Sequence, residues 1–195
     1  MYKHFAESLA TLLAANRIID IDRQECYSYG LELFLFKFTL YIIILIISLL
    51  TNTFLISLIF TVSYLLLRQY TGGYHCKTAE ACMITSIFIY VLMLLLYNVG
   101  ICNYSVYLLI CNLLSYLVIF IRAPIENENN PLEISEIKTY RTVSIIVSSV
   151  LLVLCAVLHF FCLYKYIYPI SFAMTADAVL LLITPRRKKN EKGNS

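Results

Sequence analysis

The stretch LFLFKFTLYIIILIISLLTNTFLISLIFTVSYLLL (residues 33–67) decides the fold. It holds two apolar runs, 33–50 and 54–67, parted only by Thr51-Asn52-Thr53. A polar triplet of this kind suits a break between two membrane-crossing helices. Read instead as one long helix, the stretch would give five spans and move everything downstream to the other side of the membrane. Further apolar runs lie at 83–99, 104–121, 143–161 and 167–183. Each run is slightly short of the ~20 residues that a perpendicular helix needs, so interfacial residues complete the spans. Lipid offers no partner to an open strand edge, so the expected fold is an all-α integral membrane protein of about six transmembrane helices.

Composition agrees. Of 195 residues, 61% are hydrophobic and 14% charged, and the mean hydropathy is +0.79. A soluble domain of this length cannot hide so much apolar surface. The seven cysteines include no CxxC pair and most lie in or beside apolar runs, which marks them as small packing residues rather than a disulfide framework. Trp is absent, and sixteen Tyr supply the interfacial anchors.

Charge placement separates six spans from five. With six, every Lys and Arg except Lys37 and Lys165 falls on the side of the N-terminus: Lys3, Arg17 and Arg23, then Arg68 and Lys77, then Arg122, Lys138 and Arg141, then Arg186, Arg187, Lys188, Lys189 and Lys192. Positive residues collect on the cytoplasmic side, so both termini and residues 68–82 are expected there, in a multi-pass membrane protein. Five spans would split the basic connections between the two sides.

Residues 1–30 carry Lys3, Glu7, Arg17, Asp20, Asp22, Arg23 and Glu25 ahead of the first long apolar run, so no cleaved targeting segment is expected. Phe5, Leu9, Leu12 and Leu13 recur at helical spacing and make this an amphipathic interfacial segment. A polytopic domain, 31–184, and a basic tail, 185–195, complete the organisation. Residues 122–142, with two prolines, read as a loop followed by a short helix start.

The polar insert RQYTGGYHCKTAEAC (residues 68–82) carries the chemistry. His75 and Cys82 supply a base and a thiol nucleophile, and Gly72 and Gly73 permit a sharp turn of the backbone ahead of them. On one unbroken helix the two side chains would share a face but stand ~10.5 Å apart along the axis, beyond the reach of a general base. A working dyad therefore needs a turn at the glycines and His75 folded back over the start of a helix carrying Cys82. A free thiol is mostly protonated at neutral pH, and an imidazole with the positive end of a helix starting near Thr78 favours the thiolate. Backbone N–H groups near Gly72 and Gly73 form a nest for a tetrahedral oxyanion.

Spacing alone leaves a plainer reading open, in which Cys82 is a packing residue and His75 an interfacial one. His75, Cys76, Glu80 and Cys82 match no common zinc spacing, so no metal is expected. Thr71-Gly72-Gly73-Tyr74 has the look of a cation-channel filter, but a cytoplasmic position and the following His-Cys-Lys argue against one.

The string Arg68-x3-Gly72-Gly73-Tyr74-His75-x6-Cys82 resembles the signature of the AgrB (accessory gene regulator B) family of bacterial membrane endopeptidases. Tyr29-Gly30-Leu31-Glu32 and the segment from Arg122-Ala123-Pro124-Ile125-Glu126 to Pro131-Leu132 are similar to further family elements. Position 76, where the family pattern suggests a small residue such as Ala, is Cys here. Its adjacency to His75 disfavours it as the nucleophile relative to Cys82.

The resemblance implies a quorum-sensing role on an AgrD-like precursor peptide. Cys82 would cleave the precursor through a thioester, releasing an acidic C-terminal fragment, and an internal Cys or Ser of the substrate would close a thiolactone or lactone ring. Supporting roles stay open. Arg68 either binds the acidic tail or an enzyme carboxylate, or reaches for lipid headgroups. Glu32 either orients His75, pairs with Arg68 or is a plain interfacial acid. Asp177, inside the sixth span, calls for a bundle-facing partner such as a Ser or Tyr hydroxyl. His159 reads as a satisfied bundle residue.

Arg186 to Lys189 suit anionic lipid. A homodimer is compatible with so small a polytopic chain, though no residue marks an interface, and neither a cofactor nor a nucleic acid is called for. The rival reading is a small helical transporter or channel, with 68–82 as a re-entrant or gating loop.

Overall fold

The computed structural model describes residues 2–16, 18–72, 79–101, 104–125 and 134–184. Gly73, His75 and Cys76, the stretch 126–133 and the basic tail lie outside the described residues.

Among the described residues seven α-helices follow in order: α1 (Tyr2–Ala15), α2 (Gln24–Leu50), α3 (Phe54–Thr71), α4 (Ala79–Asn98), α5 (Ser105–Arg122), α6 (Ile134–Phe160) and α7 (Tyr164–Ile183), with one short 3-10 turn at Ile21–Arg23. Six of them, α2 to α7, are long and apolar enough to cross a membrane. The protein is an all-α, multi-pass membrane protein. Large apolar side chains such as Leu49, Leu66, Phe88, Leu114 and Val150 are exposed along the helices, as lipid requires and water forbids.

The break at 51–53 is real. Thr51 N–H closes on Ile47 O at 3.0 Å and Asn52 takes a left-handed φ of 53°. Asn tolerates that conformation better than most residues and ends α2 there. Two helices begin well before their apolar runs: α2 starts at Gln24, and α6 starts at Ile134, absorbing the short helix expected after the proline-rich loop.

Contacts divide the chain into two units, 1–52 with 76–90, and 53–75 with 91–195. In the first, α1 lies on α2. The docking face is Ala6 and Ala10, both fully buried, with the Tyr2 ring 4.6 Å from Phe36 and its hydroxyl 3.2 Å from Thr39 Oγ1. Phe5 and Leu12 of the expected apolar stripe are exposed instead. Small residues let two backbones approach closely, which explains why alanines rather than leucines make the contact.

In the second unit α7 packs against α3, α5 and α6. It is buried on several faces, through Ile167, Tyr168, Ile170, Ser171, Ala173, Met174, Asp177, Ala178 and Leu181. Because apolar surface gains little by leaving lipid, interhelical hydrogen bonds set the register. Asn112 Nδ2 donates to Ser171 Oγ at 2.9 Å, Ser115 and Thr175 hydroxyls stand 3.3 Å apart, and Tyr168 OH donates to Met93 O at 2.8 Å. Replacing Ser171 by Ala leaves the fully buried Asn112 amide without its acceptor. The expected loss is about 1 kcal/mol, read as a lower thermal midpoint of the purified protein in detergent.

His159 departs from the satisfied bundle residue expected of it. Its ring packs 5.4 Å from Tyr164, while Nδ1 is buried with no hydrogen-bond partner among the described residues.

Candidate active site

Arg68, Thr71 and Gly72 form the exit of α3. Arg68, in the last turn, donates from Nη1 to the carbonyl of Gly72, so its guanidinium folds over the C-terminal end of its own helix, where carbonyls lack intrahelical donors. Thr71 O accepts from Ile125 N–H at 3.0 Å, and Gly72 pairs with Ile125 in an isolated parallel bridge. Ile125 follows the Ala123–Pro124 peptide, which is cis, just beyond α5.

Gly72 has φ 67° and ψ −134°, a conformation that L side chains rarely adopt. A Cβ built there would stand 2.3 Å from Ile125 O. The turn and the close backbone approach therefore both require glycine.

Asp177 reaches this exit from α7. The residue is fully buried. Its Oδ1 accepts the Thr71 hydroxyl at 3.1 Å and lies 3.9 Å from Arg68 Nη1, while Oδ2 has no hydrogen-bond partner among the described residues. The partners are thus a Thr hydroxyl and an arginine rather than the Ser or Tyr hydroxyl expected from the sequence. Of the alternatives for Arg68, an enzyme carboxylate is the one seen, and the carboxylate is Asp177. A membrane-embedded carboxylate is costly unless paired, and Arg68 with Thr71 supplies the pairing. Arg122 makes a related contact at the end of α5, donating from Nη1 to Leu181 O and Thr184 O, both at 3.3 Å, and so satisfies the last carbonyls of α7.

Cys82 stands in the first turn of α4, which begins at Ala79, and is half-buried. The first N–H groups of a helix lack intrahelical acceptors and present partial positive charge. Ser86 Oγ caps the Cys82 carbonyl at 2.9 Å and Thr85 Oγ1 the Ala81 carbonyl at 2.8 Å, so these hydroxyls turn back onto the helix. Tyr90, fully buried two turns on, donates to Ile44 O of α2 at 3.4 Å and anchors this half of the helix. Glu32 lies half-buried on α2, with no side-chain hydrogen bond or ion pair among the described residues.

The structure thus brings Arg68, Gly72 and Asp177 together, with Thr71 and Ile125, which the sequence did not single out as site residues. Cys82 begins the next helix, and His75 and Gly73 fall outside the described residues. Among the described residues no group of His, Cys, Asp and Glu is arranged to hold a metal.

These features define a multi-pass membrane protein with a polar, glycine-turned break between its second and third spans. The family model for AgrB, accessory gene regulator B, matches residues 6–183, and the chain belongs to that family. Accessory gene regulator protein B of Staphylococcus aureus (strain bovine RF122 / ET3-1) is 30% identical over 154 residues, 78% of this chain and 81% of the relative. The Staphylococcus intermedius protein of the same name is 33% identical over 113 residues, 56% of this chain and 58% of its own length. A putative AgrB-like protein of Clostridium perfringens (strain SM101 / Type A) is 24% identical over 139 residues, 68% of this chain and 65% of the relative. No solved structure matches. Membership supports a role in the accessory gene regulator system, in the processing of its quorum-sensing autoinducer.

Proposed function

We propose that this protein is a membrane-embedded cysteine endopeptidase that cleaves an AgrD-like precursor and promotes closure of its ring. The observation that carries the reading is Cys82 in the first turn of α4, shortly after the glycine-turned exit of α3, in a chain matched to the family over 6–183. His75 is the general base and Cys82 the nucleophile. Gly72 and Gly73 shape the turn that leads from α3 to His75, and Arg68, Asp177 and Glu32 support it.

His75 takes the Cys82 proton, and the thiolate attacks the scissile carbonyl carbon. The C–N bond breaks as the imidazolium returns the proton to the departing amine, which leaves with the C-terminal fragment. The N-terminal part stays on Cys82 as a thioester. A Cys thiol within that part then gives its proton to His75, attacks the thioester carbonyl, expels the Cys82 thiolate and closes a thiolactone; a Ser hydroxyl in its place closes a lactone. Thiolactone formation exchanges one thioester for another, so little driving force is available. Holding the substrate thiol close and keeping water from the thioester are what an enzyme contributes.

Both termini and the segment 68–82 face the cytoplasm in this reading, with 31–184 as the membrane domain and the tail 185–195 against anionic lipid. The test is cleavage of a precursor by protein reconstituted in vesicles. His75→Ala is expected to lower the rate about 10²–10⁴-fold while the protein stays folded. Full cleavage by His75→Ala would remove the base from the scheme. A wild-type protein that cleaves no precursor, including one encoded beside its own gene, would favour a small helical transporter or channel.

A further inference from the structure

We infer that Asp177 is a positioning residue for the cleavage chemistry, holding the exit of α3 in register through Arg68 and Thr71. The inference rests on the peptidase reading for its catalytic meaning.

Four contacts converge on the last turn of α3 and the glycine that follows it. Asp177 Oδ1 takes the Thr71 hydroxyl at 3.1 Å and faces Arg68 Nη1 at 3.9 Å. The same guanidinium donates to Gly72 O. Ile125 N–H holds Thr71 O at 3.0 Å from the other direction. The end of α3 is thereby fixed to α7 by a side chain and to the segment after α5 by its backbone. Beyond Gly72 the chain leads directly into the residues that carry the proposed base, so a small displacement of this exit would misplace them by a comparable distance. A misplacement of about 1 Å commonly costs an enzyme about a hundredfold in rate.

The chemistry of Asp177 suits this role better than plain packing. A fully buried carboxylate in a membrane helix is costly, and a hydrophobic residue of similar volume would be cheaper if cohesion were its only purpose. Among the described residues one of its oxygens finds partners, and that oxygen meets both side chains at the end of α3. Asp177→Asn can keep an acceptor for Thr71 but withdraws the charge that faces Arg68. Asp177→Glu keeps the charge at the cost of one added methylene.

The test joins two readouts on full-length protein in vesicles. In cleavage of an AgrD-like precursor, Asp177→Asn is expected to lower kcat at least tenfold with KM within threefold of wild type, and Asp177→Glu to recover part of the loss. Arg68→Gln combined with Asp177→Asn is expected to be no worse than the poorer single variant, since both act through one contact. Hydrogen exchange reports the clamp without any substrate. In Asp177→Asn the amides of 69–72 and of Ile125 are expected to exchange at least tenfold faster, with those of α5 unchanged. Unchanged exchange overturns the clamp whatever the activity. Faster exchange with wild-type cleavage, or a loss confined to KM, overturns its role in the chemistry. A wild-type protein that cleaves nothing overturns the peptidase reading and the catalytic role together, and the exchange data still decide the clamp.

Discussion

Cys82→Ala is expected to abolish precursor cleavage, lowering the rate at least about a thousandfold, while the protein keeps its helical content and its thermal midpoint. Removing the nucleophile removes the covalent route as a whole, and the residual rate is whatever binding alone provides. Cys82→Ser is expected to fail nearly as completely. Its hydroxyl is close to the thiol in size but stays protonated at neutral pH, and nothing in the proposed site is matched to ionise it. The structural cost is small in both cases. The side chain is half-buried in the first turn of a helix, and the hydrogen bond from Ser86 uses the Cys82 carbonyl, which every substitution retains. Circular dichroism and a thermal melt beside the assay separate lost chemistry from lost fold. Cleavage that survives Cys82→Ala would transfer the nucleophile to Cys76.

Gly72→Ala is expected to fail for a different reason, because it does not fit. The new methyl group would meet the backbone oxygen of Ile125 at 2.3 Å, and the residue sits at φ 67°. Neither problem is relieved by rotating a side chain, since the obstacle is main chain. Strain at such a φ and overpacking each cost on the order of 1–3 kcal/mol, so a loss of at least about 2 kcal/mol in stability is expected unless the bridge to Ile125 opens. Opening it would free the Thr71 carbonyl and the exit of α3. Cleavage is therefore expected to fall at least about tenfold, and the thermal midpoint to fall with it or the Ile125 amide to lose protection. A variant with wild-type melting, exchange and cleavage would show that the close approach is not needed.

Much of the membrane architecture is legible in the sequence because lipid makes hydropathy a direct readout of helical segments. Thr51-Asn52-Thr53 marked the break between α2 and α3, and the break is there, closed by a residue type suited to left-handed φ. What sequence could not supply is partner choice. Asp177 announced a need for a partner by its cost, yet Thr71 is 106 residues away and no spacing rule connects them. Ile125 stood out only as part of the family-like segment 122–126, and nothing in that segment pointed to Thr71 or Gly72, since its part is played by backbone atoms. The docking face of α1 was missed for a related reason. Ala6 and Ala10 do not stand out beside Phe5 and Leu12, but between helices in lipid a small side chain is what allows contact. Arg68, Gly72 and Cys82 were visible as oddities in an apolar chain, because polar residues and glycines are expensive there without a purpose.

The measurement that bears most directly on the account is capture of the acyl-enzyme. A precursor whose ring-closing Cys is replaced by Ala cannot resolve the thioester internally, so the adduct should accumulate. The reaction is quenched in acid and the intact protein weighed by mass spectrometry. The account predicts a mass increase equal to the N-terminal part of the precursor, reversed by hydroxylamine, mapped to the peptide containing Cys82 and absent from Cys82→Ala. An adduct on another residue, or release of the C-terminal fragment with no adduct at any time point, would contradict it.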